Sequence, residues 1–385
     1  MFETLSHLAL QQYWWVIISL LGSILVFLMF VQGGQTLIGQ IAQNDVQKTM
    51  LVNSIGRKWD LGFTTLVTFG GAFFASFPLF YATSFGGAYW VWMIILFSFI
   101  IQAVSYEFRR KPGNFLGEKT YNTFLFINGL IGTILIGAAV GTFFTGSEFS
   151  VDNLRLTADT DNAITRWETP FNGLEAGLNV QNILLGLSVF FLSRVLGTLY
   201  FISTIDDEAI FKNSQKQLRY NTIPFLAIFI SFMILLLTKE GFAVNPENKE
   251  VFMEPYKYLH NYLQKPLLLI LLLVGVTGVL GGIGVTLFKN SKKGLWYSGF
   301  GTVFTVLSLF LVAGFNNTAY YPSTFDLQSS LTIENSSSSH YTLTVMSYVS
   351  LMVPFVIAYI WYAWRSMNKK PIDADEVETD GGHMY

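Results

Sequence analysis

Few residues in this sequence are equipped for chemistry, and their positions narrow that chemistry further. Cysteine is absent, which excludes disulfides, thiolate nucleophiles, iron–sulfur clusters and Cys-based zinc sites. The four histidines, His7, His260, His340 and His383, lie outside the long apolar runs of the chain. No two of them can face one another inside a bilayer, as the axial ligands of a bis-histidine haem would. No HExxH sequence or His cluster offers a metal site. The glycine pattern GGIG at 281–284 sits inside an apolar run and reads as a helix-packing surface rather than a nucleotide loop.

What remains is a short set of charged and amide side chains in or beside apolar runs, where a charge is costly and therefore a candidate for function. Asp60 follows Trp59 at the start of the second run; its plain reading is a carboxylate near the positive end of a helix dipole. Glu107 ends the third run beside Arg109 and reads as an interfacial carboxylate with a basic neighbour. Glu175 opens the fifth run. Arg194 lies deep within the fifth and will not deprotonate, so it needs a carboxylate, carbonyl groups or a partner chain. Its expected partners are Asp60, Glu107 or the pair Gln32 and Gln35; the alternative is that it reaches back to the cytoplasmic headgroups. Gln32 and Gln35, in VQGGQT, can hydrogen-bond water but carry no titrating proton.

The elements that must hold these residues are membrane helices. Of 385 residues 52% are hydrophobic and only 12% charged, half the charge of a soluble domain at about 25%. Mean hydropathy is +0.46. A bilayer span needs about 20 apolar residues. Nine such runs occur, near 13–31, 61–82, 87–107, 121–145, 175–203, 222–238, 266–288, 295–316 and 342–364. Pro78 and Pro354 fall inside them, as membrane helices allow. Tyr13, Trp14, Trp15, Tyr89, Trp90, Trp361 and Tyr362 near the ends predict an aromatic belt. The fold class is thus an all-α integral membrane protein, with residues 1–370 polytopic and an acidic tail, 371–385, expected to be disordered.

Loop charge gives an orientation. The loops after spans one, three, five, seven and nine hold 16 of the 23 Lys and Arg residues, the opposite loops six. This predicts the N-terminus outside and the C-terminus in the cytoplasm. The first run, preceded by Glu3 and no basic residue, reads as a retained span rather than a cleaved leader. A net charge of −2 argues against nucleic acid. A secondary transporter is the competing class, though no paired inverted repeat with interrupted helices is visible.

The chain resembles subunit II of the cytochrome bd-type quinol oxidases. The resemblance rests on VNSIGRKWD (52–60), GGAFFASFP (70–78), VSYEFRRKPGN (104–114), IGAAVGTFFTG (136–146), PFNGLEAGL (170–178) and YPST…SSLTIENSSSSHYTLTVM (321–346). It implies two four-helix bundles plus a peripheral helix, in a bacterial cytoplasmic membrane. It implies no cofactor in this chain, with haems b and d and the quinol site in a larger subunit I that reduces O2 to water. It leaves room for a bound quinone, a small third subunit and membrane lipid. A proton path from the cytoplasm would then use Asp60 as entry, with Gln32, Gln35, Trp59 and Thr64 lining it. The family pattern is altered at Gln32-Gly33-Gly34-Gln35, at Leu61-Gly62-Phe63 after Trp59-Asp60, and at Gln102-Ala103. Neutral amides there stand where two carboxylates and an arginine are common. Span two, with Gly70, Gly71 and Ala72, is expected to meet subunit I.

Overall fold

The computed structural model describes residues 2–111, 113–152 and 163–373. The tail from 374 on, with His383, and loop residues Asp159 and Asp161 lie outside the described residues. The helices are α1 (His7–Gln35), α2 (Asp45–Gly56), α3 (Trp59–Ser76), α4 (Tyr89–Phe108), α5 (Glu118–Thr145) and α6 (Val180–Thr204). They continue with α7 (Glu208–Thr238), α8 (Lys257–Gln264), α9 (Pro266–Lys289), α10 (Gly294–Gly314) and α11 (His340–Met367). Among the described residues, eight of these are long and apolar enough to cross a membrane, and α3 brings the number to nine if its bent continuation is counted with it.

Their starts are written in the sequence. Ser6, Asn44, Asn179, Asp207 and Ser339 each accept a backbone N–H of the following first turn, satisfying donors that have no partner within the helix. Span two is shorter than its apolar run. The chain bends 120° between Ser76 and Pro78, and Pro78–Gly87 runs off in a new direction. Phe77, at φ −132° and ψ 66°, cannot stay helical against the proline ring, and Pro78 brings no N–H to continue the ladder. So Pro78 ends a span rather than sitting within one.

α1 and α6 form the centre. On α6 every residue from Leu192 to Ile202 is buried. The two helices touch backbone to backbone: a Cβ on Gly33 would collide with the Ser193 carbonyl, and one on Gly197 would lie 2.6 Å from the Gly34 nitrogen. α9 and α10 meet in the same manner through Gly282, whose Cβ would overlap Ser298 and lie 2.5 Å from the Gly294 carbonyl.

Two aromatic residues expected in the belt belong to the core instead. Trp15 is fully buried, packs its ring 4.4 Å from that of Tyr320 at a 43° tilt and donates its Nε1 proton to the Phe310 carbonyl at 3.2 Å. Trp14 donates to Ser347 Oγ at 3.0 Å. Tyr89, Trp90, Trp361 and Tyr362 are exposed, as a belt requires. The end of the molecule opposite the basic loops is capped by two antiparallel hairpins, β1 (Phe149–Val151) with β2 (Thr165–Trp167) and β3 (Gly241–Val244) with β4 (Val251–Glu254). Tyr258, Tyr262, Tyr320 and Tyr321 are buried under this cap, and burial pushes their hydroxyls to higher pKa.

Candidate functional site

Asp60 lies in the first turn of α3, exposed. Thr64, one turn on, donates to Asp60 Oδ1 at 3.3 Å, and Thr68 donates to the Thr64 carbonyl at 2.8 Å. Spaced by four, the three residues form one stripe. Val67, Gly71 and Phe74 extend the same exposed face.

The neighbouring residue points the other way. Trp59 stacks on Tyr106 of α4 at 5.9 Å with planes 15° apart. The Tyr106 hydroxyl accepts from Gln35 Nε2 at 3.0 Å. Gln32, one turn earlier on α1, lies against Gly62 of α3, where a Cβ would be 3.9 Å from its Oε1. The candidate path residues therefore separate onto two faces of α3. Asp60 and Thr64 face outward; Trp59, Gln35 and Gln32 face in. The single groove expected to join Asp60 to the glutamines is not formed, because a helix turns successive side chains about 100° apart.

Three residues of α4 complete the inner face. Ser98, Gln102 and Tyr106 recur every fourth position and are all buried. Asn128 of α5 donates to Ser98 Oγ at 3.3 Å. It sits at the start of a π-helical turn, Asn128–Gly132, of a kind frequent at functional sites. Gly129 in that turn lies against the Gln32 carbonyl. A buried polar column thus runs from Asn128 through Ser98 and Gln102 to Tyr106 and Gln35, about 12 Å along α4 at 1.5 Å per residue. Both amide atoms of Gln32 and of Gln102, with Gln35 Oε1 and Asn128 Oδ1, have no hydrogen-bond partner among the described residues. Buried amides in that state cost about 1–3 kcal/mol each unless water completes them. Being neutral, the column can orient water but cannot itself titrate. The sequence reading missed Ser98, Tyr106 and Asn128. The signal was present in the four-residue polar spacing within an otherwise apolar span.

Among the described residues Arg194 bonds neutral side chains and no carboxylate. Its Nε donates to Asn221 Oδ1 at 2.6 Å, Nη1 to Thr36 Oγ1 at 2.9 Å and Nη2 to Gln40 Oε1 at 2.7 Å. It is buried and its guanidinium lies 5.5 Å from the Phe190 ring. The expected contacts with Asp60, Glu107, Gln32 or Gln35 are replaced by three neutral acceptors just past the end of α1 and on α7. Glu107 is exposed and pairs with Lys111, one turn away, rather than with Arg109. Glu175 accepts the Gly173 N–H at 2.9 Å.

The described histidines are engaged at the capped end. His7 and His340 bond the carbonyls of Ser338 and Leu5, each at 3.0 Å. His260 bonds Glu254 at 2.8 Å. They do not fit the axial positions of a haem between spans. Among the described residues no group of three or more His, Cys, Asp or Glu could hold a metal.

A family model described as cytochrome bd terminal oxidase subunit II matches residues 10–367. The chain is 26% identical over 395 residues to the cytochrome bd-I ubiquinol oxidase subunit 2 of Escherichia coli (strain K12), covering 99% of this chain and 100% of that one. It is 26% identical over 383 residues to the cytochrome bd ubiquinol oxidase subunit 2 of Bacillus subtilis (strain 168), covering 94% and 99%. The solved bd oxidase from Geobacillus thermodenitrificans has the same fold at a TM-score of 0.60 and 11% identity, covering 94% of this chain and 98% of that one. This chain belongs to the cytochrome bd terminal oxidase subunit II family.

Proposed function

We propose that the chain seats the haem-bearing subunit I of its complex and offers it a polar route inward from the basic end. Family membership makes the chain a multi-pass membrane subunit of a cytochrome bd-type quinol:O2 oxidoreductase, a complex that includes subunit I. Nothing in these matches supports a secondary transporter. Haems b and d then belong to subunit I, since the described histidines of this chain are occupied at helix ends. The basic end is the cytoplasmic one, as the bias in loop Lys and Arg favours. The exposed apolar faces of α4 and α11 are where lipid, a small third subunit or a quinone tail would lie.

The observation that carries the proposal is the outward face of α3. Its carboxylate and two hydroxyls, followed by Gly71 with open space beside it, suit close contact with another helix better than contact with acyl chains. Asp60 is the proposed entry carboxylate and Thr64 its first relay. Trp59, with Gln35 and Gln32 of α1, backs this stripe from the inner face of α3 rather than lining it. Asp60→Asn keeps size and hydrogen bonding but removes the ionisable group. In the assembled oxidase it is expected to lower turnover about tenfold, about 1.4 kcal/mol in the barrier, with haem absorbance unchanged. Full turnover at normal haem content would defeat the proposal and leave Asp60 a structural role.

A further inference from the structure

At the basic end, a pocket of about 380 Å³ opens between the ends of α6, α10 and α11. Five cations line it: Arg57, Lys292, Lys293, Arg365 and Lys370. Among the described residues Lys292 pairs with Asp206 at 3.0 Å and Lys370 with Asp373 at 3.1 Å. Arg57 donates to the Met367 carbonyl at 3.3 Å. The charged ends of Lys293 and Arg365 make no hydrogen bond or ion pair among the described residues. Trp296 and Trp364 form a wall, 5.9 Å apart, with Trp361 at the rim. The buried Lys58 ammonium lies 4.9 Å from the Trp364 ring and adds to the positive field.

The pocket is built rather than incidental. After α11 the chain folds back, and Ile372 exchanges backbone hydrogen bonds with the end of α6: its N–H donates to the Thr204 carbonyl and its carbonyl accepts from Asp206, both at 3.0 Å. That parallel bridge holds Lys370 in the lining that Arg57 and Lys292 share. Above it, α11 runs away as an exposed apolar surface through Ile360, Ile357 and Phe355.

We propose that this pocket binds the phosphate headgroup of an anionic glycerophospholipid, with the acyl chains lying along α11. Lys293 and Arg365 supply the charge, interfacial tryptophans the headgroup-depth contacts, and the apolar helix face the bed for the chains. A soluble phosphate compound would use the cations but leave the apolar face empty.

The test is lipid retention by the intact oxidase complex, counted by native mass spectrometry after exchange into nanodiscs of phosphatidylglycerol or phosphatidylcholine. The wild-type complex is expected to retain phosphatidylglycerol and not phosphatidylcholine. The double variant Lys293→Gln with Arg365→Gln should retain it about 30-fold less, with two charges removed. Lys293→Arg with Arg365→Lys should retain it as wild type does, which separates charge from misfolding. Equal retention by the Gln variant, or equal uptake of phosphatidylcholine, would overturn the proposal. So would displacement by millimolar inorganic phosphate, which would make this a soluble-anion site. Retention that appears only after residues 374–385 are deleted would also overturn it, by giving the pocket to the acidic tail.

Discussion

Arg194 holds a permanent charge at a buried position with three neutral partners. Each acceptor, on Asn221, Thr36 and Gln40, meets a different nitrogen of the planar guanidinium. A lysine would keep the charge but present one compact ammonium that cannot span all three. Arg194→Lys is therefore expected to destabilise the subunit by about 1–3 kcal/mol, the cost of one orphaned buried acceptor, read as a lower thermal midpoint of the purified complex. An unchanged midpoint would show that the three bonds are not the reason for the arginine. The sequence made the charge conspicuous but not its partners. A search for carboxylates passes over Gln40 and Asn221, which look like ordinary polar residues until α1, α6 and α7 are brought together. The column of Ser98, Gln102, Tyr106 and Asn128 was hidden for the same reason: each residue is unremarkable alone, and its meaning lies in a face shared across two helices.

Among the helices, composition and run length were enough to read an all-helical membrane fold, because a bilayer selects for apolar stretches so strongly. Contact was harder to foresee. GGIG is a packing surface, as its composition suggested, but its glycines are not equivalent. Gly282 is pressed against Ser298 and the Gly294 carbonyl, whereas Gly281 has nothing within 4 Å. Gly282→Ala is expected to destabilise by about 1–3 kcal/mol, as overpacking does. Gly281→Ala, on the same helix, should be neutral or slightly stabilising. Similar losses from both, measured by thermal unfolding of the complex, would mean that the close approach of α9 and α10 is not what selects glycine. The early end of α3 was legible too, once Pro78 is taken as a stop, since the residue before a proline resists helix. Trp15 was not: a tryptophan near a span end looks interfacial until the loop carrying Tyr320 closes over it.

Across the whole molecule, one acid-sensitive contact sits at the capped end. At the capped end, partial burial raises the Glu254 pKa, but hydrogen bonds from His260 and Lys257 outweigh it and hold the carboxyl below its ordinary value of 4.5. A depressed carboxylate stabilises above its unfolded pKa, and that stabilisation disappears as pH falls through the folded value. Glu254→Gln should thus lower stability by about 1 kcal/mol near neutral pH, and the difference should disappear as pH falls through the folded carboxyl's value; a difference that is unchanged on acidification would point to packing instead. The outward face of α3 has a consequence of another kind. If subunit I covers Asp60, Thr64 and Thr68 as proposed above, an unassembled copy carries its own mark of incompleteness into the membrane. Quality-control proteases that survey the bilayer for uncovered polar groups would remove the surplus, and synthesis of the two subunits would not need to be matched. In pulse-chase experiments the chain should have a short half-life in cells lacking subunit I and a long one when it is supplied. Equal lifetimes would mean that the stripe is tolerated against lipid and that stoichiometry is set before the protein is made.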